Sequence, residues 1–182
     1  MKRSVVVALL CLTPTALPAQ LGELQVGPLA SYGMRDPYRA GAGLALGVSP
    51  GRLVYVGLRW ISYGGATTGP DVRNRAQVFA TDFDVQIPPH GGLLELRPSI
   101  GIGMVQFTQR SGAAPGTVSG YSKEFFAAPG VALQLSAPRI ALIPELQYYF
   151  TGHSELTWPV HNNGLAFSVR LVFLAEIRRI RR

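Results

Sequence analysis

The amino-acid sequence predicts an all-β protein: an eight-stranded antiparallel up-and-down transmembrane β-barrel preceded by a cleaved signal peptide. Three observations carry this prediction. Apolar and polar residues alternate with a period of two in one segment after another, as they do in strands whose two faces meet different surroundings. The connections between these segments are alternately short and long. Hydrophobic residues make up 47% of the chain and charged ones 15%, yet no apolar run reaches the length of a membrane helix.

Residues 1–19 have the pattern of a secretory signal peptide. Lys2 and Arg3 provide a positive start, an apolar stretch follows, and small residues end the segment at Ala19. We expect cleavage after Ala19. The single cysteine, Cys11, would leave with this segment, so the mature chain is expected to have neither a disulfide nor a reactive thiol.

The alternation defines eight predicted strands, and it is clearest in residues 163–174 near the C-terminus. The predicted strands are residues 23–32, 39–48, 53–63, 76–87, 93–107, 123–136, 139–151 and 163–174. The short connections are residues 49–52, 88–92 and 137–138. The longer, polar connections are residues 33–38, 64–75, 108–122 and 152–162. Short turns at one end and long loops at the other are typical of outer-membrane barrels.

The polar face of these segments is predicted to line the lumen and the apolar face to meet lipid. Small residues fit the cramped interior of an eight-stranded barrel. The glycines on this face are Gly27, Gly41, Gly43, Gly47, Gly57, Gly101, Gly103 and Gly130. The charged residues predicted to form a lumen network are Arg59, Asp82, Asp84, Glu95, Arg97, Glu145 and Arg170. Enclosed charges must be paired, and this set contains both signs. A soluble barrel such as a lipocalin would show the opposite arrangement of faces, with several lysines on its water-facing side, whereas the mature chain has only Lys123.

The eight-segment alternation resembles that of the small outer-membrane barrels of the OmpA and OmpX type. Residues 164–173 are similar to the final-strand signal read by the barrel-assembly machinery. The residues that carry this similarity are Gly164, Phe167, Val169, Leu171 and Phe173. Such chains usually stop at the final aromatic residue, whereas Leu174 and a basic tail follow here.

This resemblance implies three segments: a signal peptide in residues 1–19, an outer-membrane barrel in residues 20–174 and a basic tail in residues 175–182. It implies an outer-membrane location with both termini in the periplasm. The lipid bilayer, lipopolysaccharide and the barrel-assembly machinery are the expected partners, and the barrel is expected to be a monomer. Much of the formal net charge of +7 lies in the signal peptide and the tail, so the body lacks the basic face that nucleic-acid binding requires.

Three function classes remain open: a structural or surface-interaction barrel with a plugged lumen and no catalysis, a lipid-modifying enzyme, and a narrow pore or small-ligand carrier. For the enzyme, the chain resembles the lipid A deacylases, with His153, Ser154 and Glu145 as candidate catalytic residues. Adjacent residues on a strand point to opposite faces, which separates His153 from Ser154. We therefore favour the structural role.

No cofactor or metal site is predicted, because the three histidines show no ligand spacing. Asp71, Arg73 and Arg75 in a long connection are interpreted as a solvated loop, with contact to lipopolysaccharide phosphates as the alternative. The aromatic residues near the long-loop end are assigned to a girdle at the membrane interface. They are Trp60, Tyr63, Tyr148, Tyr149, Phe150 and Trp158.

Four prolines conflict with the strand assignment, because proline removes a hydrogen-bond donor from the ladder. They are Pro28, Pro98, Pro129 and Pro144, all on the predicted lipid-facing side. The expectation is that β-bulges accommodate them.

Overall fold

The computed structural model describes residues 22–50, 53–67, 72–87, 94–111, 118–154, 156, 160 and 163–177. Eight antiparallel strands pair in chain order and close into a barrel. They are β1 (Gly22–Gly33), β2 (Ala40–Ser49), β3 (Val54–Thr67), β4 (Val72–Val85), β5 (Leu94–Ser111), β6 (Val118–Ser136), β7 (Ile140–Thr151) and β8 (Gly164–Ile177). The described residues include no helix long and apolar enough to cross a membrane. The predicted fold class and strand count are confirmed, and the predicted signal peptide lies outside the described residues.

Four strands extend further towards the long-loop end than the sequence indicated. β3 and β4 reach Thr67 and Val72, inside the segment predicted as a loop, and β5 and β6 reach Ser111 and Val118 in the same way. The extension was missed because the outward side chains there are polar, which weakens the contrast between the two faces. A register shift between Tyr63 and Ala66 interrupts the added pairing of β3 with β4.

The last strand also continues past the predicted end of the barrel. Ala175 pairs with Leu24 and Ile177 with Gly22, so the boundary expected at residue 174 moves to residue 177. The arginines of residues 178–182 lie outside the described residues.

The orientation of the two faces is confirmed. In β3, Leu58 points outward with 60% of its surface exposed, while its neighbours Gly57 and Arg59 are buried. The same alternation runs through the other strands, so the exposed wall is apolar and the interior holds the small and charged residues. A water-soluble barrel would have the reverse distribution.

Inward-facing glycines allow neighbouring strands to come close. A Cβ atom on Gly43 would lie 1.8 Å from the carbonyl oxygen of Trp60, and one on Gly27 would lie 1.9 Å from that of Leu171. Such contacts are far below van der Waals distance and involve backbone, which cannot swing aside. Glycine is therefore required at these two positions by the closure of the barrel.

The four prolines sit at gaps in the ladders and not at bulges, contrary to the expectation. Pro28 pairs with Leu44 of β2, but the ladder with β8 is interrupted beside it and resumes in the same register. Pro129 and Pro144 sit beside similar gaps between β6 and β7, and Pro98 beside one between β4 and β5. Each proline thus lies in a continuous ladder with one neighbouring strand and beside a gap in the ladder with the other. No β-bulge, with its extra residue, is therefore needed.

Candidate functional site

The interior of the barrel is the candidate site, and its central element is a charge-balanced network. Six of the seven residues predicted for the network are almost completely buried, and they divide equally between the two signs. They are Arg59, Arg97, Arg170, Asp82, Asp84 and Glu145, each at most 4% exposed. Strand periodicity places all six inside the barrel, because each occupies an inward position of its strand. The seventh, Glu95, has 28% of its side chain exposed near the short-turn end.

Arg59 bridges carboxylates from opposite sides of the barrel. Its Nε donates to Asp82 at 2.9 Å, its Nη2 donates to Glu145 at 3.0 Å and its Nη1 donates to Gln147 at 2.5 Å. The planar guanidinium group suits such a position because its five donors point in fixed directions. Arg59 therefore links β3 with β4 on one side and with β7 on the other.

Arg170, on β8, contacts the same two carboxylates and also Asp84. Its Nη2 lies 3.3 Å from Asp84, its Nε lies 3.7 Å from Glu145 and its Nη1 lies 4.0 Å from Asp82. Only the contact with Asp84 is a hydrogen bond. The other two are looser charge contacts, which remain attractive in an interior of low dielectric constant.

The ring of Tyr55 contacts two of the arginines. The guanidinium carbons of Arg97 and Arg170 lie 5.7 and 5.6 Å from the centre of its ring, within the range of cation–π attraction. Arg97 also donates to Glu95 at 3.3 Å. Space for the ring comes from Gly47 and Gly57, where a Cβ atom would lie within 2.5 Å of Tyr55 atoms.

Aromatic rings fill the interior near the long-loop end. Tyr149 packs edge-to-face against Phe126 and Tyr38, with ring centres 4.8 and 5.2 Å apart. Tyr38 also contacts Tyr63 and Phe107 in the same manner. The Tyr63 hydroxyl is hydrogen-bonded to Tyr149 and to Ser31, both at 2.8 Å. We call Tyr38, Tyr63, Phe107, Phe126 and Tyr149 the aromatic cluster.

Tyr38 comes from the connection between β1 and β2 and not from a strand. Its backbone nitrogen donates to Arg35 at 2.9 Å and its carbonyl oxygen accepts from Gly33, which folds the connection inward. Only 1% of Tyr38 is exposed, and burial of its ring raises the pKa of the hydroxyl group. The connection therefore closes the interior at the long-loop end.

Two residues assigned to the interfacial girdle belong to this cluster instead. Tyr63 and Tyr149 point inward and are buried, whereas Trp60, Tyr148 and Phe150 point outward as expected. The alternation in the sequence indicates this placement. Tyr63 lies four residues from Arg59, and Tyr149 four from Glu145, so each tyrosine points to the same inward face as the charged residue on its strand. Trp158 lies outside the described residues.

The structure does not bring the three enzyme candidates together. Glu145 is buried in the network and accepts hydrogen bonds from Arg59 and Ser99. His153 is exposed beyond the end of β7. β7 continues for six residues beyond Glu145, to Thr151, and a strand rises about 3.3 Å per residue, so roughly 20 Å of strand lies between Glu145 and the connection that holds His153 and Ser154. Hydrogen-bond contact between an acid, a base and a nucleophile is therefore not formed by this set.

The residues of the predicted assembly signal occupy the last strand as expected from their alternation. Phe167, Leu171 and Phe173 face outward and are 43–54% exposed. Val169 shares that face and is partly exposed, while Gly164 is buried at the start of the strand.

The fold is similar to that of solved outer-membrane barrels. The N-terminal β-barrel domain of Pseudomonas aeruginosa OprF superposes with a TM-score of 0.57 at 10% identity, covering 84% of this chain and 97% of that one. Neisserial surface protein A (NspA) gives 0.57 at 8% identity, with 87% and 97% covered. Ail, the attachment invasion locus protein of Yersinia pestis, gives 0.55 at 11% identity, with 87% and 100% covered.

Comparison of the sequence gives no match: no protein-family model matches the chain, and no curated protein sequence is similar to it. The structural likeness covers nearly the whole of each neighbour, and it includes the strand number and the closure of the barrel. This chain therefore has the all-β, eight-stranded antiparallel barrel fold of the small outer-membrane proteins.

Proposed function

We propose that this chain is an outer-membrane β-barrel with a plugged lumen and a structural or surface-interaction role. The observation that carries the proposal is the inverted distribution of residues: an exposed wall of apolar side chains around a buried network of equal numbers of arginines and carboxylates. An apolar wall is stable in lipid, where a closed barrel also satisfies the backbone hydrogen bonds.

The outward face supports the membrane location. Large apolar side chains such as Leu58, Phe125 and Met104 are more than half exposed, and soluble proteins rarely expose a continuous apolar surface of this extent. The one lysine that follows the predicted signal peptide, Lys123, lies near the long-loop end of β6. The alternation of turns and loops supports an orientation with the long-loop end outside the cell and both termini in the periplasm.

The filling of the interior supports a plug and not a pore. The charged network crosses the barrel from β3 to β7 through Arg59, and the aromatic cluster lies above it towards the long-loop end. The interior of an eight-stranded barrel is just wide enough for side chains to fill it, and here the charged network and the aromatic cluster occupy it. Ions would have to displace paired charges and packed rings to pass.

Two measurements test membrane insertion and plugging. The full chain, expressed with its signal peptide, should enter the outer-membrane fraction and migrate on a gel differently before and after boiling. In planar bilayers the purified barrel should add no stable conductance steps. Recovery of the folded protein in the soluble periplasmic fraction would contradict the location, and reproducible conductance steps would contradict the plug.

The surface role is tested against the enzyme. The purified barrel is incubated with lipopolysaccharide, and the mass of the lipid A is then measured. We expect no change in mass. Loss of an acyl chain that is abolished by Ser154→Ala, with folding intact, would replace the structural role with a hydrolytic one.

A further inference from the structure

The outer wall of the barrel has a sharp chemical boundary on β4, β5 and β6. Outward-facing residues of these strands lie in rows of directly paired neighbours. Towards the long-loop end the rows are Phe79, Met104 and Phe125; Gln77, Gln106 and Lys123; Arg75, Thr108 and Tyr121; and Arg73 with Arg110. Successive rows are about 7 Å apart along the strand. Within a few rows the wall thus changes from apolar to basic.

The basic residues near this boundary form a group on one side of the barrel, which we call the outer-wall basic cluster: Arg73, Arg75, Arg110 and Lys123. All four side chains are exposed. On the opposite side, the described outward positions at the same end of β1, β2, β7 and β8 hold aromatic and small residues without charge, among them Tyr32, Tyr148 and Phe167. Among the described strand positions, the cluster is therefore confined to one side of the wall. On the other side, Arg35 and Arg39 belong to the β1–β2 connection, where Arg39 forms an ion pair with Asp36.

The cluster has no counter-charge in the described part of the chain. Arg73 and Arg110 are direct cross-strand partners, an arrangement that like charges make unfavourable. No described carboxylate forms an ion pair with any of the four residues, and the one hydrogen bond found for Arg73 goes to the carbonyl oxygen of Gly64. An anion between the two arginines would remove the repulsion and provide charge-assisted hydrogen bonds.

An apolar groove begins directly below the cluster. Phe79, Met104 and Lys123 line a depression of about 320 Å³. Phe79 also borders a larger apolar groove of about 530 Å³, between Trp60 and Ile102 on the same side of the wall. Because Phe79 lines both depressions, they adjoin on the wall, and apolar side chains lead from beneath Lys123 towards Trp60 and Ile102.

We propose that the outer-wall basic cluster binds the phosphate groups of a multiply phosphorylated membrane lipid, whose acyl chain lies in the groove below. Four cations at the edge of an apolar wall match a ligand with more than one phosphate and a hydrocarbon chain on the same molecule. The proposal rests on the proposed membrane location and places the lipid in the outer leaflet, because the cluster is at the long-loop end.

The test measures lipid binding to the purified, detergent-folded barrel by native mass spectrometry. The probes are bis-phosphorylated lipid A, phosphatidylethanolamine, the deacylated phosphorylated disaccharide of lipid A, and sucrose octasulfate. Lipid A should bind more tightly than phosphatidylethanolamine and more tightly than its own deacylated headgroup. The double variant Arg73→Gln/Arg110→Gln should bind lipid A at least about tenfold more weakly, as expected for lost charge-assisted hydrogen bonds.

The matched control is Arg35→Gln/Arg139→Gln, which removes the same charge from exposed positions outside the cluster and should leave lipid A affinity unchanged. Equal losses in the two double variants, or equal binding of lipid A and phosphatidylethanolamine, would overturn the proposal. So would a cluster-dependent loss seen only with sucrose octasulfate, because that result would indicate a soluble polyanion. Failure of the parent to insert into membranes would instead refute the proposed function, and gel migration before and after boiling reports this separately.

Discussion

Near the short-turn end and at mid-height, the barrel interior is held by ion pairs that Arg59 and Arg170 make with three carboxylates. Near the long-loop end it is filled by the aromatic cluster, whose few hydrogen bonds run between hydroxyl groups. Both halves are buried, yet they respond to substitution for different reasons. In the charged half, removal of one partner leaves an uncompensated charge. In the aromatic half, loss of a hydroxyl leaves the ring packing in place.

The largest expected effect comes from the centre of the charged half. Arg59→Met should lower the free energy of unfolding by about 3–5 kcal/mol, because Asp82 and Glu145 lose a shared buried partner. Unfolding by urea in detergent, followed through tryptophan fluorescence, measures this. The exposed control Arg75→Met should change the stability by less than about 0.5 kcal/mol.

A paired variant shows whether the loss reflects unpaired charge. Arg59→Met combined with Glu145→Gln removes one charge of each sign and should be more stable than Arg59→Met alone. A double variant that loses the sum of the two single effects would show that the ion pair is not the source of the loss.

A smaller effect is expected at the edge of the same half. Arg97→Met should cost about 1.5–3 kcal/mol, less than Arg59→Met, because its ion-pair partner Glu95 is partly exposed and can be hydrated when left alone. The same urea titration measures both variants. A larger loss for Arg97 than for Arg59 would mean that its contact with the Tyr55 ring outweighs the ion pairs.

The membership of the charged half could be predicted from the sequence, but the pairing could not. Alternation places Arg59, Asp82 and Glu145 on the inward face of their strands, which is enough to bring them inside. Which arginine meets which carboxylate depends on the stagger of all eight strands around the barrel, and alternation within one strand contains no information about that stagger.

The aromatic half was harder to predict, for two physical reasons. Tyr63 and Tyr149 occupy inward positions in the alternation, but their position near strand ends also suits an interfacial girdle. The girdle assignment was wrong, because both rings are buried. The direction of Tyr38 cannot be read from strand alternation, because this residue lies in a connection whose path is set by backbone hydrogen bonds with Gly33 and Arg35. The gaps beside the prolines could not be predicted either. When a strand lacks pairing with one neighbouring strand at a single position, the alternation of its side chains stays the same.

The space for Tyr55 gives a test of packing within the charged half. In Gly57→Ala the new Cβ atom would lie 2.3 Å from the Tyr55 hydroxyl oxygen, and Gly47, Arg97 and Arg170 also lie close to the same ring. We expect a loss of about 1–3 kcal/mol in the free energy of unfolding. Gly64→Ala is the control, since its Cβ atom would meet nothing closer than 3.7 Å. Equal stability of the two variants would show that Tyr55 is not confined.

The smallest effect is expected in the aromatic half. Tyr149→Phe removes the hydroxyl group that is hydrogen-bonded to Tyr63 but keeps the ring against Phe126 and Tyr38. The loss should be about 1 kcal/mol, the net contribution of one hydrogen bond. The outward control Tyr148→Phe, at a position that is 40% exposed, should change the stability by less than about 0.5 kcal/mol.

This last variant decides whether the two halves differ in kind. In Tyr149→Phe the Tyr63 hydroxyl keeps its hydrogen bond with Ser31, at 2.8 Å, so this buried hydroxyl still has a partner. Arg59→Met instead removes the closest cation from two buried carboxylates, which keep only the looser charge contacts with Arg170 and, for Glu145, the hydrogen bond from Ser99. A loss for Tyr149→Phe as large as that for Arg59→Met would mean that the hydroxyl bonds, and not the packed rings, hold the long-loop end. A loss near 1 kcal/mol would attribute the stability of that end to the packing of the rings.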